Sequence, residues 1–114
     1  ENDEKTTRAG LGAIFAKDEP PTAILAMSDR MALIAIDWLK ARGLDVPGGV
    51  SIVGFDGVPD GALCTPALTT IAQPITEIGR RAARMILDHD GTVRRETMGV
   101  ELIVRASTGP ARTG

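Results

Sequence analysis

The sequence predicts an α/β fold, an open parallel sheet with flanking helices. Two short apolar segments, 22–28 and 50–55, have the continuous hydrophobicity of strands that are covered on both faces. A helical segment lies between them, so the order strand, helix, strand predicts a βαβ unit with a right-handed crossover. The 114 residues, 43% of them hydrophobic and 25% charged, suit one compact globular unit.

A helix over residues 7–16 precedes the first predicted strand. Three apolar side chains recur at helical spacing within it: Leu11, Ile14 and Phe15. The pair Pro20-Pro21 ends helical structure, because proline has no amide hydrogen to donate. Segment 22–28 then follows as the first strand.

The next predicted helix is apolar on almost every side. We expect Asp29 to cap it, because a carboxylate there can accept hydrogen bonds from the free amides of the first turn. Between Met31 and Leu39 only Asp37 is polar, so one side of the helix faces the sheet and another meets a second surface. Gly43 ends the helix.

The rest of the chain is predicted to contain extended segments, a loop rich in glycine and proline, and one more helix. The extended segments and the loop are a strand at 50–55, a breaker-rich loop at 57–66, a short piece at 68–73 and a last strand at 98–106. Pro74 begins the helix, in a position that suits its fixed φ. One stripe of this helix is apolar and is expected to be buried: Ile75, Ile78, Gly79, Ala82, Ala83, Ile86 and Leu87.

Composition and charge exclude several classes of function. A net charge of -2 gives no general attraction to nucleic-acid backbones, so we expect no DNA contact from these residues. The sequence has neither an apolar run of membrane-spanning length nor a recognisable secretory signal. One cysteine and one histidine make no disulfide, no usual zinc site and no catalytic pair. We therefore expect a cytoplasmic protein that is not an enzyme and has neither metal nor cofactor.

Five segments together resemble the effector-binding region of the lactose-repressor (LacI/GalR) family of bacterial transcription regulators. They are Pro21–Ala32, Gly43–Pro47, Val50–Asp56, Thr65–Pro74 and Glu101–Gly109. The resemblance implies a periplasmic-binding-protein type I-like fold with an incomplete C-terminal subdomain. Residues 1–73 and 102–110 would form that subdomain, and 74–98 would be a helix of the N-terminal subdomain. We expect the chain to be the last third of such a regulator, with the DNA-binding domain outside it.

Asp56 is the first candidate for a ligand contact. It directly follows a predicted strand, and ligands of open parallel sheets bind outside the carboxyl ends of the strands. Asp-Gly is also a common turn pair, so a purely structural role stays open. By the resemblance, Asp56 matches the effector-binding aspartate of the family, Ser28 stands where members often have asparagine, and Gln73 matches a contact of some members. The implied effector is a sugar or a related metabolite.

The resemblance also implies a homodimer, formed by the helix after Asp29 and the loop after Asp56. The residues expected in the contact are Leu33, Ile34, Pro59, Leu63 and Cys64. The expectation agrees with the second surface that the apolar helix requires. A twofold arrangement would place the same patch on both chains. Operator DNA would be bound only through the domain outside this chain.

The predicted function is sensing without catalysis. A small molecule would shift the balance between two subdomain arrangements and so change operator affinity. Two alternatives remain. A periplasmic sugar-binding protein of an ABC transporter would use the same strand-end carboxylate, although segments 68–74 and 101–109 resemble the regulators more. A phospho-receiver domain would phosphorylate Asp56, but it needs further carboxylates for magnesium and a lysine after a late strand, which the sequence does not place.

Overall fold

The computed structural model describes residues 2–113. Residues 1 and 114, which the sequence places in the same compact unit, lie outside this range. The helices and strands follow in the order α1 (Asn2–Phe15), β1 (Ala23–Leu25), α2 (Asp29–Ala41), β2 (Ser51–Asp56), α3 (Asp60–Leu63), β3 (Thr69–Ala72), α4 (Ile75–Leu87) and β4 (Glu101–Ile103). No described helix is both long and apolar enough to cross a bilayer.

The strands form one open sheet in the order β1-β2-β3-β4. Strands β1, β2 and β3 are parallel, which confirms the predicted βαβ unit and the α/β class. Strand β4 runs antiparallel to β3, with Ala72 opposite Glu101 and Thr70 opposite Ile103. The direction reverses because the chain leaves the sheet at the carboxyl end of β3, passes through α4 and re-enters at that same end.

Helix α2 is held between the sheet and α1, so α1 supplies the second surface that its apolar sequence predicts. That surface therefore gives no separate support to the predicted dimer. The buried residues of α2 are Asp29, Ala32, Ala35, Ile36, Trp38 and Leu39. The Trp38 ring meets the Phe15 ring of α1 at a centroid distance of 5.6 Å, and the Arg42 guanidinium lies 4.0 Å from the Trp38 ring centroid. Gly43 follows with a φ of 74°, a left-handed conformation that suits glycine and ends the helix as predicted.

Strand β1 does not have the two covered faces that its sequence predicts. It lies at one edge of the sheet, and of its three residues only Ile24 packs against the core. Leu25 is 68% exposed and Met27 is 84% exposed. The continuous apolar run therefore marks a strand here, but not one that the described residues enclose.

Helix α4 also departs from expectation, because none of its residues is buried against the described part of the chain. Pro74 is the residue before the helix and not its first residue, a shift of one position. The predicted loop at 57–66 contains the single turn α3, and the last predicted strand is shorter, Glu101–Ile103. The apolar stripe of α4 is thus present in the sequence and open in the structure.

The segment after β4 is hydrogen-bonded to the first residues of β2 and β3. Ser107 is fully buried, and its hydroxyl donates to the Ile52 carbonyl at 2.6 Å and accepts from the Thr69 amide at 2.8 Å. The Gly109 amide donates to the Ser51 hydroxyl at 3.0 Å. The predicted effector contacts lie at the other end of the parallel strands, their carboxyl ends.

Candidate functional site

The predicted effector contacts stand at the carboxyl ends of three neighbouring parallel strands. Asp56 is the last residue of β2, and Gln73 immediately follows β3. Ser28 lies between β1 and α2. Because β1, β2 and β3 are adjacent and parallel, these positions lie together at the carboxyl ends of the strands. We call this region the strand-end site.

Asp56 and Gln73 form a hydrogen-bonded pair within this site. The side-chain Nε2 of Gln73 donates to Asp56 Oδ1 at 2.9 Å. The backbone amide of Gln73 donates to the backbone carbonyl of Asp56 at 3.0 Å. Both residues are partly exposed. No described residue donates a hydrogen bond to Asp56 Oδ2 or to Gln73 Oε1. These two oxygens can therefore accept hydrogen bonds from a ligand.

The backbone of Asp56 is strained. Its φ is 133°, and no other non-glycine residue within 2–113 has a positive φ. Such a conformation costs about 1–3 kcal/mol and persists where the surrounding structure enforces it, which is often at a functional site. Gly57 follows at a φ of 85°, and a Cβ placed on it would lie 2.7 Å from the Ala72 Cβ. The turn after β2 is thus both strained and tightly packed.

The cap of α2 is Ser28 and not Asp29, so the predicted cap is wrong by one residue. The Ser28 backbone is extended, and its Oγ accepts from the Met31 amide at 3.2 Å. Asp29 is already the first helical residue, which turns its carboxylate away from the free amides and towards the sheet. The hydrogen of the Ser28 hydroxyl is not needed for capping and can be donated to a ligand.

Asp29 has a different role, which the sequence did not reveal. Its side chain is fully buried. Asp29 Oδ2 accepts from the Gly57 amide at 2.9 Å and the Val58 amide at 2.8 Å, while Oδ1 accepts from the Thr70 hydroxyl at 2.6 Å. Space for this carboxylate comes from Gly54, where a Cβ would collide with Asp29 Oδ1. A glycine inside an apolar strand was the one sequence signal of this close approach.

Three of the five predicted dimer residues line one surface groove between α2 and α3. Leu33, Leu63 and Cys64 border this α2–α3 groove, which has a volume of about 450 Å³. Leu63 is 81% exposed, and the Cys64 thiol donates to the Gly61 and Pro66 carbonyls. Ile34, which is partly buried, and Pro59, which is exposed, do not line the groove. Their role in a dimer stays a prediction.

A second groove runs from the strand-end site along α4. It has a volume of about 590 Å³ and is bordered by Gln73, by Ile78 and Met85 of α4, and by residues 94–98 with Val100. Within residues 2–113, no group of three or more histidine, cysteine or acidic side chains could hold a metal ion.

Comparison with known proteins places these features in a family context. The family of periplasmic binding protein-like domains matches residues 2–108. The HTH-type transcriptional repressor CytR of Escherichia coli (strain K12) is 48% identical over 95 residues, which cover 79% of this chain and 28% of the repressor. The chain thus spans less than a third of the length of that relative.

Two solved structures have the same fold and contain sugars. A LacI family transcriptional regulator from Enterococcus faecium with bound ribose matches with a TM-score of 0.83 and 26% identity, over 96% of this chain and 41% of that one. A LacI family transcriptional regulator, CCPA, from Weissella paramesenteroides with bound sucrose matches with a TM-score of 0.80 and 31% identity, over 92% and 39% respectively.

Proposed function

This chain belongs to the family of periplasmic binding protein-like domains, in its LacI-type branch, and we propose that it forms part of the effector-sensing region of a transcription regulator. The relatives that it matches are transcriptional regulators, which favours this function over sugar transport and over phosphorylation of Asp56. The single observation that carries the proposal is the hydrogen-bonded pair of Asp56 and Gln73 at the carboxyl edge of the parallel sheet.

The proposed effector is a neutral, hydroxyl-rich molecule, with sugars as the first class to test. Asp56 Oδ2 and Gln73 Oε1 are both acceptors, so they need donor groups such as hydroxyls on the ligand. No lysine or arginine in residues 2–113 forms an ion pair with Asp56, so its carboxylate disfavours an anionic ligand. Bound ribose and sucrose in the two similar structures support the same class.

The remaining contacts would come from the other parts of the regulator. We propose that 1–73 and 102–110 belong to one subdomain and that 74–98 packs with the other, since the apolar stripe of α4 is open in the described structure. Effector binding between the two would favour one relative arrangement. The DNA-binding domain would then respond, since two sites that bias the same equilibrium are coupled.

We further propose that the regulator is a cytoplasmic homodimer without catalytic activity. The α2–α3 groove supplies exposed apolar surface at Leu63 next to the partly buried Leu33 and Cys64. Burial of apolar surface contributes about 25 cal/mol per Å², so a few such side chains matter to association. Ile34 and Pro59 would extend the contact on either side. Operator DNA is the expected partner of a separate domain.

Calorimetric titration of the full-length protein with ribose, sucrose, other sugars and nucleobases tests the proposal. For the sugar that binds wild-type protein best, Asp56→Ala should lose roughly 10–150-fold in affinity, because a hydrogen bond to a charged group contributes about 1.5–3 kcal/mol. Asp88→Ala is the control, since Asp88 is exposed at the end of α4. Undiminished binding by Asp56→Ala would place the site elsewhere, and no binding by any sugar would exclude the sugar class.

A further inference from the structure

One buried carboxylate, that of Asp29, is linked through the chain or through hydrogen bonds to the segments that carry all three predicted effector contacts. Ser28 immediately precedes Asp29 in the chain, Asp56 immediately precedes Gly57, and Thr70 lies on the strand that ends before Gln73. Asp29 accepts hydrogen bonds from the Gly57 amide and the Thr70 hydroxyl and is itself fully buried. The Asp29 carboxylate is thus bonded to the turn after β2 and to a residue of β3, and Asp29 itself follows Ser28 in the connection from β1 to α2.

We propose that Asp29 is a positioning residue for effector recognition. Its carboxylate holds the turn after β2 and strand β3 against the start of α2, next to Ser28, and thereby sets the geometry of the strand-end site, although it does not touch the ligand. The inference rests on the proposed function, because it assumes that Ser28, Asp56 and Gln73 bind the effector. It adds a residue that the sequence had assigned to the capping of α2.

The hydrogen bonds around Asp29 suit a charged group. Two consecutive amides, those of Gly57 and Val58, converge on Oδ2, while Oδ1 receives the Thr70 hydroxyl. Hydrogen bonds to an ionised acceptor are stronger than those between neutral groups, and three of them offset much of the cost of burying the charge. Asp29 forms no ion pair with another residue of 2–113. Fixing these donors is therefore the role that the contacts support.

The strained backbone of Asp56 explains why such an attachment is needed. A φ of 133° is unfavourable for aspartate and is kept only where neighbouring contacts enforce it. The two amides that follow Asp56 are the ones that Asp29 holds. Without them the turn after β2 can relax, and the Asp56 carboxylate then leaves its position beside Gln73.

The test uses the full-length protein and the sugar of the panel that binds wild-type protein best. Asp29→Leu removes all three hydrogen bonds, whereas Asp29→Asn keeps an oxygen for the two amides and an NH₂ group for the Thr70 hydroxyl. We expect Asp29→Leu to weaken binding roughly tenfold or more, the loss expected for one misplaced charge-assisted contact, and Asp29→Asn to stay within about threefold. Ile52→Ala is the stability control, because Ile52 is fully buried on β2, its truncation lowers the melting temperature, and it is not a hydrogen-bond partner of Asp29.

Equal binding by Asp29→Leu and wild-type protein would overturn the inference, and so would an equal loss in Ile52→Ala, since stability alone would then explain it. If Asp29→Leu does not fold, Thr70→Val decides, because it removes only the partner of Oδ1. Weaker sugar binding by Thr70→Val than by Ile52→Ala supports the positioning role, and wild-type binding contradicts it.

A readout without ligand separates this inference from the proposed function. Hydrogen–deuterium exchange of the peptide that contains Gly57 and Val58 should be faster in Asp29→Leu than in wild-type protein and close to wild type in Asp29→Asn. If no sugar binds wild-type protein but this exchange pattern is seen, the ligand class is wrong and the attachment of the turn by Asp29 stands. Unchanged exchange in Asp29→Leu would overturn the attachment itself.

Discussion

Helices α2 and α4 are each 13 residues long, and their surroundings differ completely. Helix α2 is packed between the sheet and α1, and its Leu39 is fully buried. Helix α4 has the cleaner separation of apolar and polar faces, yet Leu87 in its last turn is 84% exposed. An apolar face therefore predicts that a helix has a packing partner, but it does not predict that the partner lies in the same stretch of chain.

The difference between the two helices fits the proposed division of the chain. The buried hydrophobic core extends from Leu11 to Leu68 and contains no residue of α4. Helix α4 and the segment after it leave the carboxyl end of β3 and return there. The larger part of the chain thus carries its own core, whereas the helix of the excursion has no buried residue within the described part of the chain.

The largest expected effect is the difference in unfolding free energy between truncating Leu39 of α2 and truncating Leu87 of α4. Leu39→Ala should lower the free energy of unfolding of this 114-residue chain by about 2–5 kcal/mol, because it leaves a cavity in the core. Leu87→Ala should change it by less than about 0.5 kcal/mol, as exposed substitutions do. Urea denaturation measures both. A cost for Leu87→Ala close to that for Leu39→Ala would mean that α4 is packed and would remove the contrast.

Two glycines with similar backbone angles sharpen the comparison. Gly91, at a φ of 90°, would place a Cβ in open space with no atom within 4 Å, so Gly91→Ala should cost about 1–2 kcal/mol from the left-handed backbone alone. Gly57, at a φ of 85°, would place a Cβ 2.7 Å from that of Ala72. Gly57→Ala should therefore cost about 1–3 kcal/mol more. Equal costs in chemical denaturation would show that the turn after β2 is not tightly packed.

The smallest effect concerns a carboxylate after α4 that is open to solvent. The Thr92 hydroxyl, 2.5 Å from Asp90 Oδ1, and the Thr92 amide, 3.0 Å from it, hold the pKa of Asp90 below its ordinary value. A lowered pKa contributes stability above the unfolded value, and this contribution is lost as the pH falls through the folded value. Thr92→Ala should raise the pKa of Asp90, and carbon NMR titration measures it.

Arg94→Ala is the matched control variant for this prediction. The hydrogen bond from Arg94 lowers the pKa of Asp90 less than the two hydrogen bonds from Thr92 do. A larger rise of the pKa in Arg94→Ala than in Thr92→Ala would contradict the assignment. The effect should remain local, since all three groups lie in the exposed part of the chain.

Periodicity and chain breakers were sufficient to predict the order of the main elements. The strand at 50–55, the glycine end of α2 and the extended piece before Pro74 depend on local patterns, and all three are present. The exposure of β1 was not predictable, because an apolar run gives no information about which neighbours the chain supplies. The one-turn helix α3 is too short to have a periodic signal.

The site was predictable where it depends on the end of a strand, and not where it depends on a contact between distant residues. Asp56 was predicted from the end of a strand and Gln73 from the family resemblance, and the structure pairs their side chains. Asp29 was predicted as the cap because a carboxylate can accept hydrogen bonds from the first-turn amides. A serine can do the same, and only the backbone angles show that Ser28 is the cap. Its bonds to residues 28 to 41 positions away have no local sequence pattern.

The most direct test of the central claim is a crystal structure of the full-length protein with the best-binding sugar of the panel. We expect a sugar hydroxyl to donate to the Asp56 carboxylate, with Gln73 in contact and the Asp29 hydrogen bonds intact. A sugar bound only in the groove beside α4, with Asp56 free of contact, would contradict this claim.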